Sequence, residues 1–457
     1  MESMLSDCKY SGLLTDLYEL TMAAGYVESG FEAHATFELY VRSLPERRNY
    51  LVAAGLEQAV EFLENLRFSE EEIAYIRNLP VFGKVSSKFF DYLSSFRFTG
   101  DVCALPEGTI YFPGEPILRV TAPIVQAQVV ETSLLSILHF QSVIASKAAR
   151  ISTAAAGRQV IEFGSRRAHG IEAGVLAARG AYIGGCEGTS NAYAGHRFNI
   201  PVYGTQAHSW IMAHKDEAEA FRTFLDVFPQ ATLLVDTYNV RAAVEKIIAL
   251  GRRPHAIRLD SGNVLADSEW LRNRLNQVGW NDVEIFVSGD LDEERIESLL
   301  KNGARIDGFG VGTALSTSSD APALGVIYKL VQVEVGGRVQ SAAKFSEDKH
   351  TYPGSKQVFR FSNPDGMFSH DVIGHEDELY PGAQPLLMQV MQEGRRVNKK
   401  ENVTGAHAAR KRFLACRERL PKAIQALDSA VPFPVQYSRK LEDLFIQFRE
   451  SLVSSRS

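Results

Sequence analysis

Residues 231–236 read ATLLVD, a short apolar run that ends in a polar residue, and this pattern recurs through the middle of the chain. Each run is rich in β-branched or aromatic residues, and most are followed by a stretch long enough for a helix. This pattern is typical of buried parallel strands joined by helical crossovers. The runs are RQVIEFG (158–164), AYIGG (181–185), PVYGT (201–205), ATLLVD (231–236), HAIRLD (255–260), VEIFVSG (283–289) and DGFGVG (307–312). The sequence therefore predicts an α/β fold with about seven parallel strands.

Two architectures can be built from these strands, an open doubly wound sheet and an irregular barrel. An open dinucleotide-binding sheet is expected to carry GxGxxG after its first strand, but the first run here is followed by SRRAHG (165–170). The glycine-rich segment GFGVGT (308–313) comes instead at the last run, where barrels often bind phosphate. We therefore expect an irregular parallel α/β barrel of about seven strands.

The regions on either side of the strand array have different patterns. In residues 1–125, the apolar residues of LYELTMAAGYVES (17–29) have helical spacing, and Pro and Gly separate short strands after Gly100. We predict an N-terminal α+β domain at 1–125, a barrel domain at 126–340, and a C-terminal extension at 341–457 that packs on the other two. The second, α+β domain is expected to include part of the C-terminal region.

Composition excludes several classes of protein. The chain has 457 residues, of which 45% are hydrophobic and 23% charged, as in ordinary globular proteins with two or three domains. Its net charge of -6 gives no reason to expect nucleic-acid binding. No apolar run reaches about 18 residues, and the start MESMLSDCKYSG lacks a signal-peptide pattern, so we expect no membrane association. The four cysteines show no metal-type or disulfide pattern, which indicates a reduced, cytoplasmic compartment.

Charged residues follow several of the predicted strands. Because the carboxyl ends of parallel strands meet at one edge, these residues indicate a single active site. Arg166 follows the first run, and its guanidinium suits a carboxylate or phosphate, although a surface ion pair is an alternative. Arg258 and Asp260 alternate with Leu259 and so project to one face of their strand. A charged pair in an apolar run needs partners, which favours a functional role over a structural pair inside the barrel.

Four further positions are candidates on the same reasoning. Asp236 ends its strand, where it either belongs to the active site or caps the next turn or helix. His208 comes just past Gly204 and could act as a nucleophile or general base. Gly310 and Gly312 either offer backbone amides to an anion or form a tight turn. Together these residues point to a phosphate-handling α/β enzyme.

The chain also contains a series of longer motifs. They are LLTDLYELTM (13–22), AAGLEQ (53–58), EFGSRRAH (162–169), GTSN (188–191), GTQAHS (204–209), DTYNV (236–240), IRLDSGN (257–263), SGDLDE (288–293), GFGVGT (308–313), YKL (328–330) and PGSKQVFR (353–360). In this order they resemble the nicotinate phosphoribosyltransferase family, which is a type II phosphoribosyltransferase family. The resemblance implies an irregular α/β barrel, a split second domain, and a homodimer whose subunits share active sites.

The resemblance also implies a reaction. The 5-phosphoribosyl group passes from 5-phosphoribosyl 1-diphosphate to nicotinate, giving nicotinate mononucleotide and diphosphate, the first step of NAD salvage from nicotinic acid. ATP hydrolysis with Mg²⁺ is coupled to it, as in the ligase class, through a phosphohistidine at His208, with Arg258 and Asp260 as its catalytic companions. A phosphoryl group there adds about two negative charges beside the diphosphate. The alternatives are a nicotinamide or quinolinate phosphoribosyltransferase, or a catalytically inactive barrel-fold regulatory protein.

The family motifs assign substrate contacts to individual residues. Tyr18, from the partner subunit, and Phe163 would sandwich the pyridine ring. Ser190 stands where nicotinamide-using relatives have aspartate, which favours an acid substrate accepted by the nearby Arg258. The remaining contacts are divided between diphosphate and ribose (Arg166, Asp236, Asp260), 5-phosphate (Gly310, Gly312, Thr313) and a general substrate-binding role (Thr205). Arg47 or Arg48 would reach the neighbouring subunit's phosphates. The motifs identify no metal ligands and leave SGDLDE (288–293) without a role.

Overall fold

The computed structural model of the chain describes residues 8–346, 349–397 and 405–454. Two compact units are present, and each is described by itself. One unit combines both ends of the chain, up to Ser142 and from Ala323 onward. The other is continuous and runs from Val143 to Pro322. These bounds differ from the predicted 126–340, and the predicted domain boundaries stay predictions.

The N-terminal segment alternates helices with short strands. Its capping follows from the sequence, since Ser69 forms a capping box with Glu72 at the start of a helix. The elements are α1 (Leu17–Ser29), β1 (His34–Val41), β2 (Leu51–Val52), α2 (Leu56–Asn65), α3 (Glu70–Asn78), α4 (Ser87–Ser94), β3 (Asp101–Ala104), β4 (Ile110–Tyr111), β5 (Pro116–Pro123), α5 (Ile124–Val129) and α6 (Glu131–Ala154). The predicted helix at 17–29 is confirmed.

The central segment repeats strand and helix. Its elements are β6 (Gln159–Glu162), α7 (Ile171–Ile183), β7 (Gly188–Thr189), α8 (Ala192–Phe198), α9 (His208–Met212), α10 (Glu217–Val227), β8 (Thr232–Leu234), α11 (Val240–Ala249), β9 (Ala256–Leu259), α12 (Val264–Gln277), β10 (Glu284–Ser288), α13 (Glu293–Lys301), β11 (Gly308–Val311) and α14 (Thr313–Ser316). The six strands pair in the order β7-β6-β11-β10-β9-β8, and every ladder is parallel. The predicted α/β fold with a parallel sheet is confirmed.

Two of the seven predicted strands are wrong. Residues 181–185 lie at the end of helix α7, whose residues from Ala177 to Ile183 are all buried. A helix that is apolar on every side gives the same continuous apolar run as a buried strand. Residues 201–205 contribute only an isolated parallel bridge between Val202 and Thr189. Among the described residues β7 and β8 are the two edges of the ladder order, and closure into a barrel stays a prediction.

The C-terminal segment returns to the first unit. Its elements are β12 (Val326–Val335), β13 (Arg338–Ser341), β14 (Phe345–Ser346), β15 (Lys349–His350), β16 (Lys356–Ser362), β17 (Phe368–His375), β18 (Gln384–Pro385), β19 (Met388–Gln392), β20 (Arg395–Arg396), α15 (Ala406–Arg419), β21 (Val435–Tyr437) and α16 (Arg439–Ser454). An antiparallel seven-stranded sheet, β13-β12-β1-β5-β3-β19-β20, joins strands from both chain ends. A four-stranded sheet, β18-β16-β17-β21, lies in the same unit. In the described part of the chain, no helix is long and apolar enough to cross a membrane.

Candidate active site

Polar residues at the carboxyl ends of the central strands meet at one edge of the six-stranded sheet, as parallel pairing requires. Arg258, the third residue of β9, has a side chain that is only 15% exposed. Its Nε donates to Ser288 Oγ at 2.7 Å and its Nη1 to Thr205 Oγ1 at 2.7 Å. Its Nη2 donates to Asp260 Oδ1. Three separate segments of the chain therefore converge on one guanidinium.

Asp260 is ionised and firmly held. Burial opposes ionisation of its carboxyl, but the hydrogen bond from Ser288 and the charge of Arg258 outweigh burial and hold its pKa below the usual range of an aspartate. Its backbone N–H donates to Asp236 Oδ2 at 3.0 Å. Asp260 thus carries a negative charge at the strand edge and links Arg258 with Asp236.

Asp236 serves this edge and does not cap the following helix. Its Oδ2 also accepts the Ser261 hydroxyl at 2.6 Å. The cap of α11 is instead Asn239, whose side chain accepts the Ala242 N–H. The other oxygen of Asp236, Oδ1, is buried and accepts no hydrogen bond from the described residues. A buried carboxylate oxygen of this kind is a ready acceptor for a substrate hydroxyl or a cation.

His208 is the first residue of α9 and lies beside the Asp260 carboxylate. Its Nδ1 and Thr237 Oγ1 are 3.1 Å apart, at hydrogen-bonding distance. Its Nε2 is 3.9 Å from Asp260 Oδ2, and its side chain is 43% exposed. The imidazole is therefore accessible to a reactant while both ring nitrogens face polar groups.

An aromatic platform adjoins Arg258. The ring centroid of Phe163 is 5.7 Å from Arg258 Cζ and 5.9 Å from the ring of Phe286. A Cβ at Gly310 would lie 2.5 Å from the Phe163 ring, and one at Gly308 would lie 2.7 Å from Phe286. Both glycines of β11 are thus explained by the rings that pack against them, whatever part their backbone takes in phosphate binding.

A cavity of about 770 Å³ begins at this platform. Its lining includes Phe163 and Thr205, and it extends along β6 past Ile161 to Gln159. Ligand cavities commonly have volumes of about 300–1,000 Å³ and combine apolar walls with a few polar groups. The cavity is therefore large enough for a pyridine-sized molecule next to the charged cluster.

Comparison with known proteins identifies the family. The nicotinate phosphoribosyltransferase (NAPRTase) N-terminal domain matches residues 13–139, and the NAPRTase family matches residues 158–351. The nicotinate phosphoribosyltransferase pncB2 of Mycobacterium tuberculosis is 44% identical over 436 residues, which cover 94% of this chain and 92% of that protein. The nicotinate phosphoribosyltransferase of Bacillus subtilis is 42% identical over 377 residues, covering 80% and 76%. The chain belongs to the nicotinate phosphoribosyltransferase family.

Solved structures of similar proteins agree with this assignment to the nicotinate phosphoribosyltransferase family. The human nicotinic acid phosphoribosyltransferase matches with a TM-score of 0.82 at 28% identity, over 95% of this chain and 99% of that one. A nicotinate-nucleotide pyrophosphorylase from Pyrococcus furiosus matches with a TM-score of 0.74 at 27% identity, over 92% and 98%. The family resemblance predicted from the motifs is confirmed.

Several other residues of the central unit that were predicted to contact substrate lie at the surface. Arg166 is exposed in a short 3-10 turn, Ser165–Arg167, and within the described part of the chain it forms no ion pair. Ser190 is exposed directly after β7, and Thr313 is exposed at the start of α14. Gly312 comes directly before α14, with a φ of -104° and a ψ of -102°. These side chains are accessible, and their substrate contacts stay predictions.

A buried carboxyl joins the first two strand tips. Glu162, the last residue of β6, is fully buried and accepts the Thr189 hydroxyl at 2.6 Å as well as the Gly164 N–H. Burial raises its pKa, and those two hydrogen bonds offset the effect only in part. The Ser190 N–H donates to the Glu162 carbonyl at 2.9 Å. Glu162 therefore holds the segments that carry Phe163 and Ser190 together.

Tyr18 and the two arginines at 47–48 lie in the unit built from the chain ends. Tyr18, on α1, is 50% exposed, and its hydroxyl donates to Glu131 at 3.5 Å. Arg47 is exposed with a φ of 60°, whereas Arg48 is buried, with 3% of its surface accessible. Of the two arginines, Arg47 therefore has the side chain that another subunit could reach.

Sequence reasoning missed three residues that shape the site: Ser288, Thr237 and Glu162. Ser288 and Thr237 bind Arg258 and His208 through hydroxyls, and Glu162 is hidden inside an apolar strand. One signal was available for Ser288, because it alternates with the inward-facing Phe286 on β10 and so shares its face. Nothing in the sequence distinguishes Thr237 from any other polar residue of a loop.

Proposed function

We propose that the chain transfers the 5-phosphoribosyl group of 5-phosphoribosyl 1-diphosphate to nicotinate, coupled to ATP hydrolysis, giving nicotinate mononucleotide and diphosphate. One observation carries this proposal: Arg258, Asp260 and His208 form a single cluster beside the aromatic platform of Phe163. The names of the Mycobacterium tuberculosis, Bacillus subtilis and human relatives, which are nicotinate (nicotinic acid) phosphoribosyltransferases, support the choice of reaction. The product would enter NAD synthesis by salvage from nicotinic acid.

Nicotinate binding follows from the platform and the guanidinium above it. A pyridine ring would stack on Phe163, and its carboxylate would meet Arg258, which has more N–H donors than its three protein contacts use. A charge-assisted hydrogen bond to a carboxylate contributes about 1.5–3 kcal/mol. The hydroxyl of Ser190 adds no negative charge of its own at the tip of β7, whereas an aspartate there would repel the acid. Nicotinate is favoured over nicotinamide on these grounds.

His208 would carry the phosphoryl group in the ATP-coupled cycle. A ring nitrogen attacks the γ-phosphorus of ATP, a P–N bond forms, and the P–O bond to ADP breaks with its electron pair leaving on ADP. Water later attacks the phosphorus, the P–N bond breaks, and inorganic phosphate and free histidine result. The ionised Asp260 faces Nε2 and stabilises positive charge on the ring during both steps. Phosphorylation of His208 would also add negative charge beside the diphosphate.

The ribosyl donor, 5-phosphoribosyl 1-diphosphate, would lie across the carboxyl ends of the other central strands. Asp236 would accept ribose hydroxyls through its buried Oδ1, to which no described residue donates, and Arg166 would bind the diphosphate. The 5-phosphate would lie at the end of β11, near Gly312 and Thr313. Guanidinium groups suit phosphate because their donors are paired and planar.

Magnesium would reach the site together with the phosphates. No cluster of three or more His, Cys, Asp or Glu side chains that could hold a metal occurs among the described residues. Mg²⁺ commonly takes one or two protein carboxylates and completes its shell with phosphates and water. Asp236 fits that requirement, since Oδ1 is a buried carboxylate oxygen that accepts no hydrogen bond within the described part of the chain. The ion would neutralise phosphate charge.

A homodimer with shared sites would complete the platform. Tyr18 is half exposed on α1, and a second subunit could supply it to the open face of the pyridine. Arg47 is exposed and could reach the phosphates of the neighbouring subunit. A monomer would then be inactive.

A substrate comparison tests the proposed function. Purified chain is incubated with 5-phosphoribosyl 1-diphosphate, ATP and Mg²⁺, and with nicotinate, nicotinamide or quinolinate in turn. Nicotinate mononucleotide should form in the first mixture only, at a rate that ATP increases. Turnover of nicotinamide or quinolinate instead would contradict the assignment of Arg258 and Ser190. Absence of product in all three would favour a catalytically inactive regulatory protein.

A further inference from the structure

The tip of β10, residues 288–293, packs directly on Asp260. Ser288 is buried, and its hydroxyl donates to Asp260 Oδ1 while accepting Arg258 Nε at 2.7 Å. Arg258 Nη2 donates to the same Oδ1. Both side-chain donors therefore bind one carboxylate oxygen and leave Oδ2 facing His208 Nε2, 3.9 Å away.

The backbone of Asp260 is held from the same tip. Gly289 has a φ of 88°, and a Cβ at this position would overlap the Asp260 carbonyl oxygen. Both the left-handed φ and the close approach require glycine. On the other side, the Asp260 N–H donates to Asp236. Asp260 is thus held by hydrogen bonds at its carboxylate and its amide, and its carbonyl packs closely against Gly289.

Fixation of this kind matters because a carboxylate rotates easily about its last bond, where the torsional wells are broad. Without the Ser288 hydroxyl, only Arg258 would hold Oδ1 among these two donors, and the carboxylate could rotate to intermediate angles. An oxygen would then point at His208 Nε2 in only a fraction of molecules. A reaction that develops charge on the imidazole depends on that geometry.

We propose that Ser288 and Gly289 are positioning residues of the reaction, which orient the Asp260 carboxylate toward His208. This inference rests on the proposed phosphorylation of His208. It gives a function to SGDLDE (288–293), a strand-tip motif to which the sequence assigned no role. Neither residue needs to touch substrate. Ser288 acts through its hydroxyl, and Gly289 acts through the space its missing side chain leaves.

A purely structural role is the competing explanation, because removal of any buried hydroxyl costs stability. Ser268 supplies a matched control. It is fully buried in α12 of the same unit, its hydroxyl donates to Leu265 O at 3.0 Å, and it accepts the Arg305 N–H at 3.3 Å. Ser268→Ala therefore removes a comparable pair of hydrogen bonds that involve none of the residues placed in the site.

The experiment measures phosphohistidine on the full chain. Wild type, S288A, S288T and S268A are mixed with γ-labelled ATP and Mg²⁺, and acid-labile label on the protein is followed in time. We expect S288A to form the label roughly tenfold to a hundredfold more slowly, as loss of a hydrogen bond to charged groups predicts. S288T, which keeps the hydroxyl, should restore most of the rate, and S268A should label at the wild-type rate.

Two results distinguish a failure of the positioning role from a failure of the proposed phosphohistidine. If wild type forms no label at all, the phosphohistidine and this inference with it are wrong. If wild type labels but S288A labels equally fast, with a loss of melting temperature like that of S268A, only the positioning role is wrong. Should S288A fail to fold, S288C keeps the side-chain volume with a weak S–H donor and must show the same slow labelling. Wild-type labelling by S288C would overturn the inference.

Discussion

Substitution of Gly310 by alanine would distinguish a role in the pyridine platform from a role in binding the 5-phosphate. In the structure, a Cβ at 310 would lie 2.5 Å from Cδ2 of Phe163. Carbon atoms in contact prefer a separation of about 3.5–4.0 Å, so the ring must retreat by roughly 1 Å. Position 310 is paired with Ile161 in the β6–β11 ladder, and its backbone has little freedom to give way. The strain therefore falls on the aromatic platform.

The size of the effect follows from the stacking it disturbs. An aromatic pair contributes about 0.5–1.5 kcal/mol beyond area burial, so the KM for nicotinate should rise roughly two- to twelvefold in G310A. The KM for 5-phosphoribosyl 1-diphosphate should change by no more than about twofold. Overpacking should also lower the free energy of unfolding by about 1–3 kcal/mol. Steady-state kinetics with each substrate varied in turn, together with urea unfolding, measure all three.

Gly325→Ala is the control for this experiment. A Cβ at Gly325 has no atom within 4 Å, and its φ is not in the left-handed region. G325A should leave both KM values unchanged. If G310A instead raised the KM for 5-phosphoribosyl 1-diphosphate and left that for nicotinate unchanged, Gly310 would serve the 5-phosphate and the platform explanation would be wrong.

Three further predictions concern the carboxylate contact, acid–base linkage and subunit sharing. R258K keeps the charge but not the paired donors, and should lower kcat/KM for nicotinate roughly tenfold to a hundredfold. Burial, with the charge of Glu19, raises the pKa of Glu131 to about 7, so the folded chain retains a proton that the unfolded chain releases. The free energy of unfolding should therefore decrease as pH rises from about 5 to 7. In E131Q this decrease should be smaller by roughly 1–2 kcal/mol, as measured by urea titrations at several pH values. When Y18A and H208A are mixed and refolded together, about a quarter of the wild-type ATP-coupled activity should return, because half of the dimers are mixed and each mixed dimer has one intact site. If no activity returned, Tyr18 would belong to the site of its own subunit.

Local pattern was enough to predict five of the six strands of the central sheet and the polar residues that follow them. Arg258 and Asp260 were placed on one face by simple alternation, and the structure joins them in an ion pair. The same reasoning failed at 181–185, where burial of α7 on all sides removed the helical period. Periodicity reports burial, and it distinguishes helix from strand only where one side of the element is polar.

Long-range pairing could not be predicted in this way. The seven-stranded sheet pairs β1 with β12 and β3 with β19, strands that are separated by most of the chain. Lys356 and Glu38 form a buried ion pair at 2.8 Å in the same unit, and neither residue differs locally from a surface charge. The hydroxyls of Ser288 and Thr237 were missed for a similar reason, since their partners lie on other segments of the chain.

The ATP dependence of H208A tests the central claim most directly. Nicotinate mononucleotide formation is measured with and without ATP for wild type, H208A and the control H196A, which removes an exposed histidine on α8. We predict that ATP stimulates wild type and H196A, while H208A makes product slowly at a rate that ATP does not change. Full ATP stimulation in H208A would contradict a phosphohistidine at this position.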